Sequence, residues 1–198
     1  MLLPYDPSRH TELIAALHFK ALGWTANSRL GESHIRKIYR GLAELPSTFG
    51  FVWMEDRQLV GYALGSMNSA EARRKIQSVY TMWDVLRIMI GSLTNPLNFV
   101  YAFESVFVIP RYLKKCGTAV EWIAWNADKS HPKYRTASIQ CYYALRKYYA
   151  ANGETMFIAQ GERRSRESEA VLYADPNITK KVFFQNIIYL ITVKGRST

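Results

Sequence analysis

Residues 49–66 read FGFVWMEDRQLVGYALGS, and this stretch decides the fold. Positions 49–54 and 59–66 are rich in aromatic and aliphatic residues, and the polar Glu55-Asp56-Arg57-Gln58 separates them. Two such runs around a short polar break predict a β-hairpin. Upstream the period changes from two to about 3.6. Asp6-Pro7-Ser8 opens a segment with Leu13, Ile14, Leu17 and Ala21 on one helical face. Ser33, a good N-cap, opens another, with Ile35, Ile38, Tyr39 and Leu42 at i, i+3, i+4 and i+7, and Pro46 stops it.

Downstream, residues 69–92 turn helical again. Ile76, Val79, Tyr80, Trp83, Leu86 and Ile90 form a stripe that Gly91 and Pro96 end. The stripe can pack on the core, on a second copy of the chain, on a membrane surface, or as a lid over an apolar pocket. Residues 97–115 are apolar and fit helix or strand. Residues 119–126 (AVEWIAWN) read as a buried strand. A polar loop over 128–135 then feeds a helix with Ile139, Tyr142, Leu145 and Tyr149 on one face, closed by Asn152-Gly153. Residues 155–159 predict a strand, 165–173 a short helix, and 182–193 one or two final strands. No repeat or linker divides the chain, so residues 1–198 are expected to form one domain. Its class is α/β (α+β), with a mixed central sheet flanked by helices and a helical insertion at about 69–115.

The 198 residues are 48% apolar and 21% charged, which excludes a disordered tail protein. Cys116 and Cys141 cannot build a disulfide framework, so a reducing, cytoplasmic setting is expected. Pro4 and Asp6 interrupt the place a signal peptide would occupy. The most apolar region, 80–110, is broken by Asp84, Arg87, Asn95-Pro96 and Glu104, so no membrane span is expected. The net charge is +10, and all but one unit of it falls in residues 71–198. That sign favours anionic partners. Nucleic acid is not among those expected, because no reading element accompanies the charge. His10, His18, His34 and His131 lack metal-ligand spacing, so no metal is expected. Gly-x-Ser-x-Gly, Walker and Gly-x-Gly-x-x-Gly motifs are all missing from the sequence.

The early part combines Leu22-Gly23, the helix from Ile35 to Ile38-Tyr39, and the hairpin with Phe51-Val52-Trp53-Met54-Glu55-Asp56 and Leu59-Val60-Gly61-Tyr62. With these it resembles the GNAT superfamily of N-acyltransferases. An apolar helical insertion follows in one bacterial branch of that family, as it does here. The resemblance implies transfer of an acyl group from a thioester, acyl-CoA (acetyl-CoA) among them, to an amine or hydroxyl of a small acceptor. It also implies a phosphate-cradling turn at Lys133, Arg135, Thr136, Ala137, Ser138, Ile139 and Gln140. The family's glycines are replaced by Ser138 and Gln140. A phosphopantetheine arm on an acidic acyl-carrier protein demands less of such a turn, so that donor is a second expectation. A binding protein that has lost catalysis is the alternative.

Acyl transfer to an amine needs a base and an acid. The resemblance places the base at Glu121, among apolar neighbours that raise a carboxylate pKa; an ion pair with a Lys or Arg is the competing role. It places the acid at Tyr173, which is equally an ordinary packing tyrosine. Cys141 fits a buried small hydrophobe better than a helix-terminal thiolate. The 76–90 stripe also makes a homodimer one of the expectations.

Overall fold

Asp56 and Arg57 take φ values of 46° and 65°, the left-handed pair that a two-residue hairpin connection needs. They join β2 (Thr48–Glu55) to β3 (Gln58–Ser66), paired from Thr48↔Ser66 to Glu55↔Gln58. The computed structural model describes residues 1–23, 25–93, 100, 103–162 and 177–193.

A three-residue edge strand, β1 (Leu2–Pro4), pairs with β2 and is too short to show in the sequence pattern. Helix α1 (Pro7–Ala21) is capped by Asp6, whose carboxylate accepts the Ser8 N–H at 2.9 Å, with Pro7 in the first turn. After the single turn α2 (Ala26–Arg29), α3 (Glu32–Ala43) starts one residue before the expected Ser33. Its cap is Gly31 at φ 98°, a backbone angle that serine adopts poorly.

The expected 69–92 helix is two helices, α4 (Ser69–Ser78) and α5 (Met82–Leu93), broken at Val79–Thr81. Of the 97–115 segment expected to be helix or strand, residues 103–115 are helical: a π-turn at Glu104–Val108 runs into α6 (Ile109–Lys115). Then follow β4 (Glu121–Ala127), α7 (Tyr134–Ala151), β5 (Met156–Glu162), β6 (Ile178–Val182) and β7 (Asn186–Thr192). The helix expected at 165–173 lies outside the described residues.

Among the described residues seven strands lie in the order β1-β2-β3-β4-β5-β7-β6, with β4 and β5 parallel and the other neighbours antiparallel. Side chains alternate across the sheet, so two cores form. Tyr142, Leu145 and Tyr149 of α7 pack with Trp122, Phe157 and Ile187 on one face. On the other, α1, α3 and α4 cover Tyr62, Leu64 and Ile123, while Ile109 and Leu113 of α6 cover Ile158 and Ile188.

Of the 69–92 stripe, Ile76 and Val79 join this second core, but Trp83, Leu86 and Ile90 are exposed. Core packing therefore ends where α4 breaks from α5.

Candidate functional site

β4 and β5 pair only at Glu121↔Ile158 and Trp122↔Ala159, and beyond these positions the strands part. A bulge in the β3–β4 ladder leaves Ile123 without an opposite partner at that point. An extra residue bends its strand and re-aims the side chains around it. Glu121 stands at the closed end of the resulting gap, and the start of α7 follows its open end.

Glu121 is buried, and its carboxylate accepts from Arg73 of α4 through Nε at 2.9 Å and through Nη2. Burial pushes its pKa up, Arg73 pulls it down, and the net shift is upward. Arg73 Nη2 also donates to Gln160 Oε1 at 3.3 Å, and Gln160 Nε2 donates to Asn186 Oδ1 at 2.8 Å. Asn186 Nδ2 donates in turn to Glu104 Oε2 at 3.0 Å, and the Glu104 carboxylate takes the N–H groups of Phe184, Gln185 and Asn186. A polar chain thus crosses β4, β5 and β7 on one face. From the other face the Tyr149 hydroxyl donates to the Glu121 carbonyl at 2.6 Å.

Two readings of Glu121 therefore hold together: it is ion-paired, and its affinity for a proton is raised. Sequence reading missed Arg73, Gln160, Asn186 and Glu104 as its company. The available signal was lone polar residues inside apolar runs, which must find partners when buried.

At the other end of β4, Asp128 turns the chain toward α7. Lys20 Nζ holds its carboxylate at 2.8 and 3.0 Å, and the Ser130 hydroxyl donates at 2.6 Å. Burial pushes the Asp128 pKa up, but Lys20 and Ser130 outweigh it and bring it to about 2.

Helix α7 begins at Tyr134, so Thr136, Ala137, Ser138, Ile139 and Gln140 are helical rather than part of a loop. Ala137 is buried against β3, where a Cβ on Gly61 would come within 3.1 Å of its methyl. The Ser138 carbonyl accepts from Trp125 Nε1 at 3.2 Å, while Thr136, Ile139 and Gln140 are exposed. Lys133 pairs with Glu55, and the Arg135 guanidinium lies 5.7 Å over the Tyr134 ring. Among the described residues no side chain caps the first turn of α7. An uncapped helix start beside Arg135 and Thr136 suits a single anionic group such as a phosphate.

Tyr173 and a second basic run of the sequence, Arg163-Arg164-Ser165-Arg166, lie outside the described residues. Cys141 is buried in the α7 core, and burial pushes its thiol up to about 12, so it packs as a small hydrophobe.

His18, which the sequence left among scattered histidines, sits in a buried polar cluster. Its Nδ1 lies 2.8 Å from the Tyr39 hydroxyl and 3.3 Å from that of Tyr62, and burial lowers its pKa to about 4.

No protein-family model matches the sequence, and no curated protein matches it. Solved structures match its fold across nearly the whole chain. An aminoglycoside 6'-acetyltransferase type Ii superposes with a TM-score of 0.59 at 10% identity, covering 99% of both chains. An N-acyl amino acid synthase from uncultured soil microbes gives 0.53 at 12% identity, covering 100% of this chain and 98% of that one. A protein from Salmonella typhimurium, described as an acetyltransferase and solved with its cofactor acetyl-CoA, gives 0.55 at 11% identity, covering 100% and 96%. The chain has the GNAT acetyltransferase fold: a mixed sheet opened between two parallel central strands.

Proposed function

We propose that the protein is an acyltransferase that moves an acyl group from a thioester donor to an amine of a small acceptor. The observation that carries this reading is the gap, with a buried carboxylate at its closed end and an uncapped helix start beyond its open end. From Glu121 to Ala127, β4 extends about 20 Å at ~3.3 Å per residue. An extended donor arm lies along that length with its phosphate at α7 and its thioester near Glu121.

Glu121 takes the proton of the attacking amine, helped by the burial that raises its pKa. It works as a base only when Arg73 yields one carboxylate oxygen. The amine nitrogen bonds to the thioester carbon, the carbon–sulfur bond breaks, and the thiolate is protonated by Tyr173, the residue proposed as acid. The aminoglycoside and amino acid neighbours support an amine acceptor.

Acyl-CoA as donor is supported by the acetyl-CoA of the Salmonella neighbour. Side chains at Ser138 and Gln140, where the resemblance has glycine, support an acyl-phosphopantetheine arm with its single phosphate on an acidic carrier protein. Lys133, Arg135 and the 163–166 arginines would dock that carrier. The same missing glycines favour a second reading, a binding protein of this fold without catalysis.

Calorimetry with CoA, acetyl-CoA and an acyl-carrier protein separates these. Binding of a donor, with turnover that collapses in Glu121→Gln, supports the enzyme. Binding without turnover of any tested amine supports the second reading, and no binding overturns both.

A further inference from the structure

We propose that helix α5 lies on the surface of an anionic lipid bilayer. This assignment stands on the outer surface alone and does not depend on the chemistry of the gap.

Helix α5 carries its apolar side outward. Asp84 faces the body, where it accepts the Thr81 N–H at 2.9 Å and the Thr81 hydroxyl at 2.7 Å and stands 3.9 Å from His34 Nδ1. Met82 is 84% exposed and Trp83 72%, and Val85, Leu86 and Ile90 are exposed beside them. At about 100° per residue these five side chains span an arc of roughly 160°. Single exposed apolar residues are ordinary, but a contiguous apolar arc of this breadth marks an interaction surface.

Charge selects the occupant. Residues 71–115 hold seven Lys and Arg against three acids. Each acid is already engaged: Glu71 with Ser47, Asp84 with Thr81, and Glu104 with the amides of 184–186. Arg74, Arg87, Arg111, Lys114 and Lys115 are exposed and form no ion pair among the described residues. A helix with Trp and aliphatic residues on one side, Arg87 at the border of that side, and an excess of unpaired cations in the segments that flank it along the chain suits the headgroup boundary of an anionic membrane. A second copy of the chain would bring these cations toward one another across a twofold axis. An acidic carrier would satisfy the cations but leave the apolar arc facing polar surface. Among the described residues no helix is long and apolar enough to cross a membrane, so the association is peripheral.

The test is sedimentation of the full-length protein with vesicles of phosphatidylcholine, with and without phosphatidylglycerol. It should bind the mixed vesicles and not the neutral ones, and release as salt rises. Bromine-labelled lipid should quench its fluorescence, and the quench should shrink in Trp83→Tyr. Arg87→Ser should weaken partitioning roughly fivefold, the equivalent of about 1 kcal/mol per basic residue near such a surface. Trp83→Ser with Leu86→Ser should weaken it by about tenfold or more without lowering the melting temperature, since both side chains are exposed. Failure to bind mixed vesicles overturns the proposal, as does binding unchanged in the double variant. So does self-association, or capture of an acidic carrier protein, that needs Trp83 and Leu86 when vesicle binding does not.

Discussion

Arg73 on α4 grips the carboxylate of Glu121 on β4 through two guanidinium nitrogens, 48 residues away along the chain. Glu121 is shut away from water while Arg73 stays partly exposed, so the carboxylate is the partner left stranded when the pair is broken at Arg73. Arg73→Met strands a buried carboxylate and should cost about 3–5 kcal/mol of stability, read by urea unfolding. Arg73→Met combined with Glu121→Met should recover most of that loss. Equal loss in single and double variants would mean the pair contributes nothing specific.

Gly65 makes room for the other contact on Glu121. A Cβ there would stand 2.2 Å from the Tyr149 hydroxyl oxygen, which donates to the Glu121 carbonyl. Gly65→Ala should therefore destabilise by about 2–4 kcal/mol, through overpacking and a lost buried hydrogen bond. Tyr149→Phe in the same chain should return part of it by removing the clashing atom. A Gly65→Ala variant as stable as the parent would show that the ring can move.

His18 sets a pH window. Its pKa is about 4 in the folded chain against 6.5 unfolded, so the unfolded state binds the extra proton between those values. Stability is therefore full above the unfolded pKa and falls as pH drops toward the folded one. Between about pH 7.5 and about pH 4.5, the native protein should lose about 2–3 kcal/mol more than His18→Gln does. His10 and His34, whose pKa values are also lowered by burial, contribute equally to both proteins. Parallel curves for the two proteins would remove His18 from the account.

Glu104 holds the β6–β7 turn by accepting three backbone N–H groups and the Asn186 amide. Glu104→Gln replaces one acceptor oxygen with a donor facing donors. It should cost about 1–3 kcal/mol, with faster exchange of the 184–186 amides. Unchanged exchange there would mean the turn holds itself.

The hairpin was legible because a polar break between two apolar runs has few other solutions. Helices α1, α3 and α7 and the two parting strands were legible from periodicity and apolar runs. The break between α4 and α5 went unread although a local signal marks it: the Asp84 N–H donates to Thr81 Oγ1 at 3.2 Å and the Asp84 carboxylate accepts the Thr81 N–H at 2.9 Å, a reciprocal cap that starts a new helix. The start of α7 was legible to within two residues, since the polar run over 128–135 gives way to helix at Tyr134; only the phosphate-cradling turn that the resemblance implies over Thr136 to Gln140 is replaced by helix. Glu121 was found by its apolar neighbours. Arg73 belongs to the run Arg73-Arg74-Lys75, and nothing local in the sequence says which of the three turns inward. Pairings across 48 or more residues follow from the assembled sheet, and sequence spacing does not encode them.

Because only two residue pairs stitch β4 to β5, the sheet is two leaves on a short spine. One leaf is β1 to β4 and the other β5 to β7, and side chains beneath them do most of the remaining joining. Whatever settles between the leaves acts as a suture, adding cross-links that the backbone forgoes. Ligand binding should then slow amide exchange along β4 and β5 far more than along the hairpin of β2 and β3, which is already laddered along its length but for one bulge at Val60. Exchange slowed equally everywhere would show that the leaves never part.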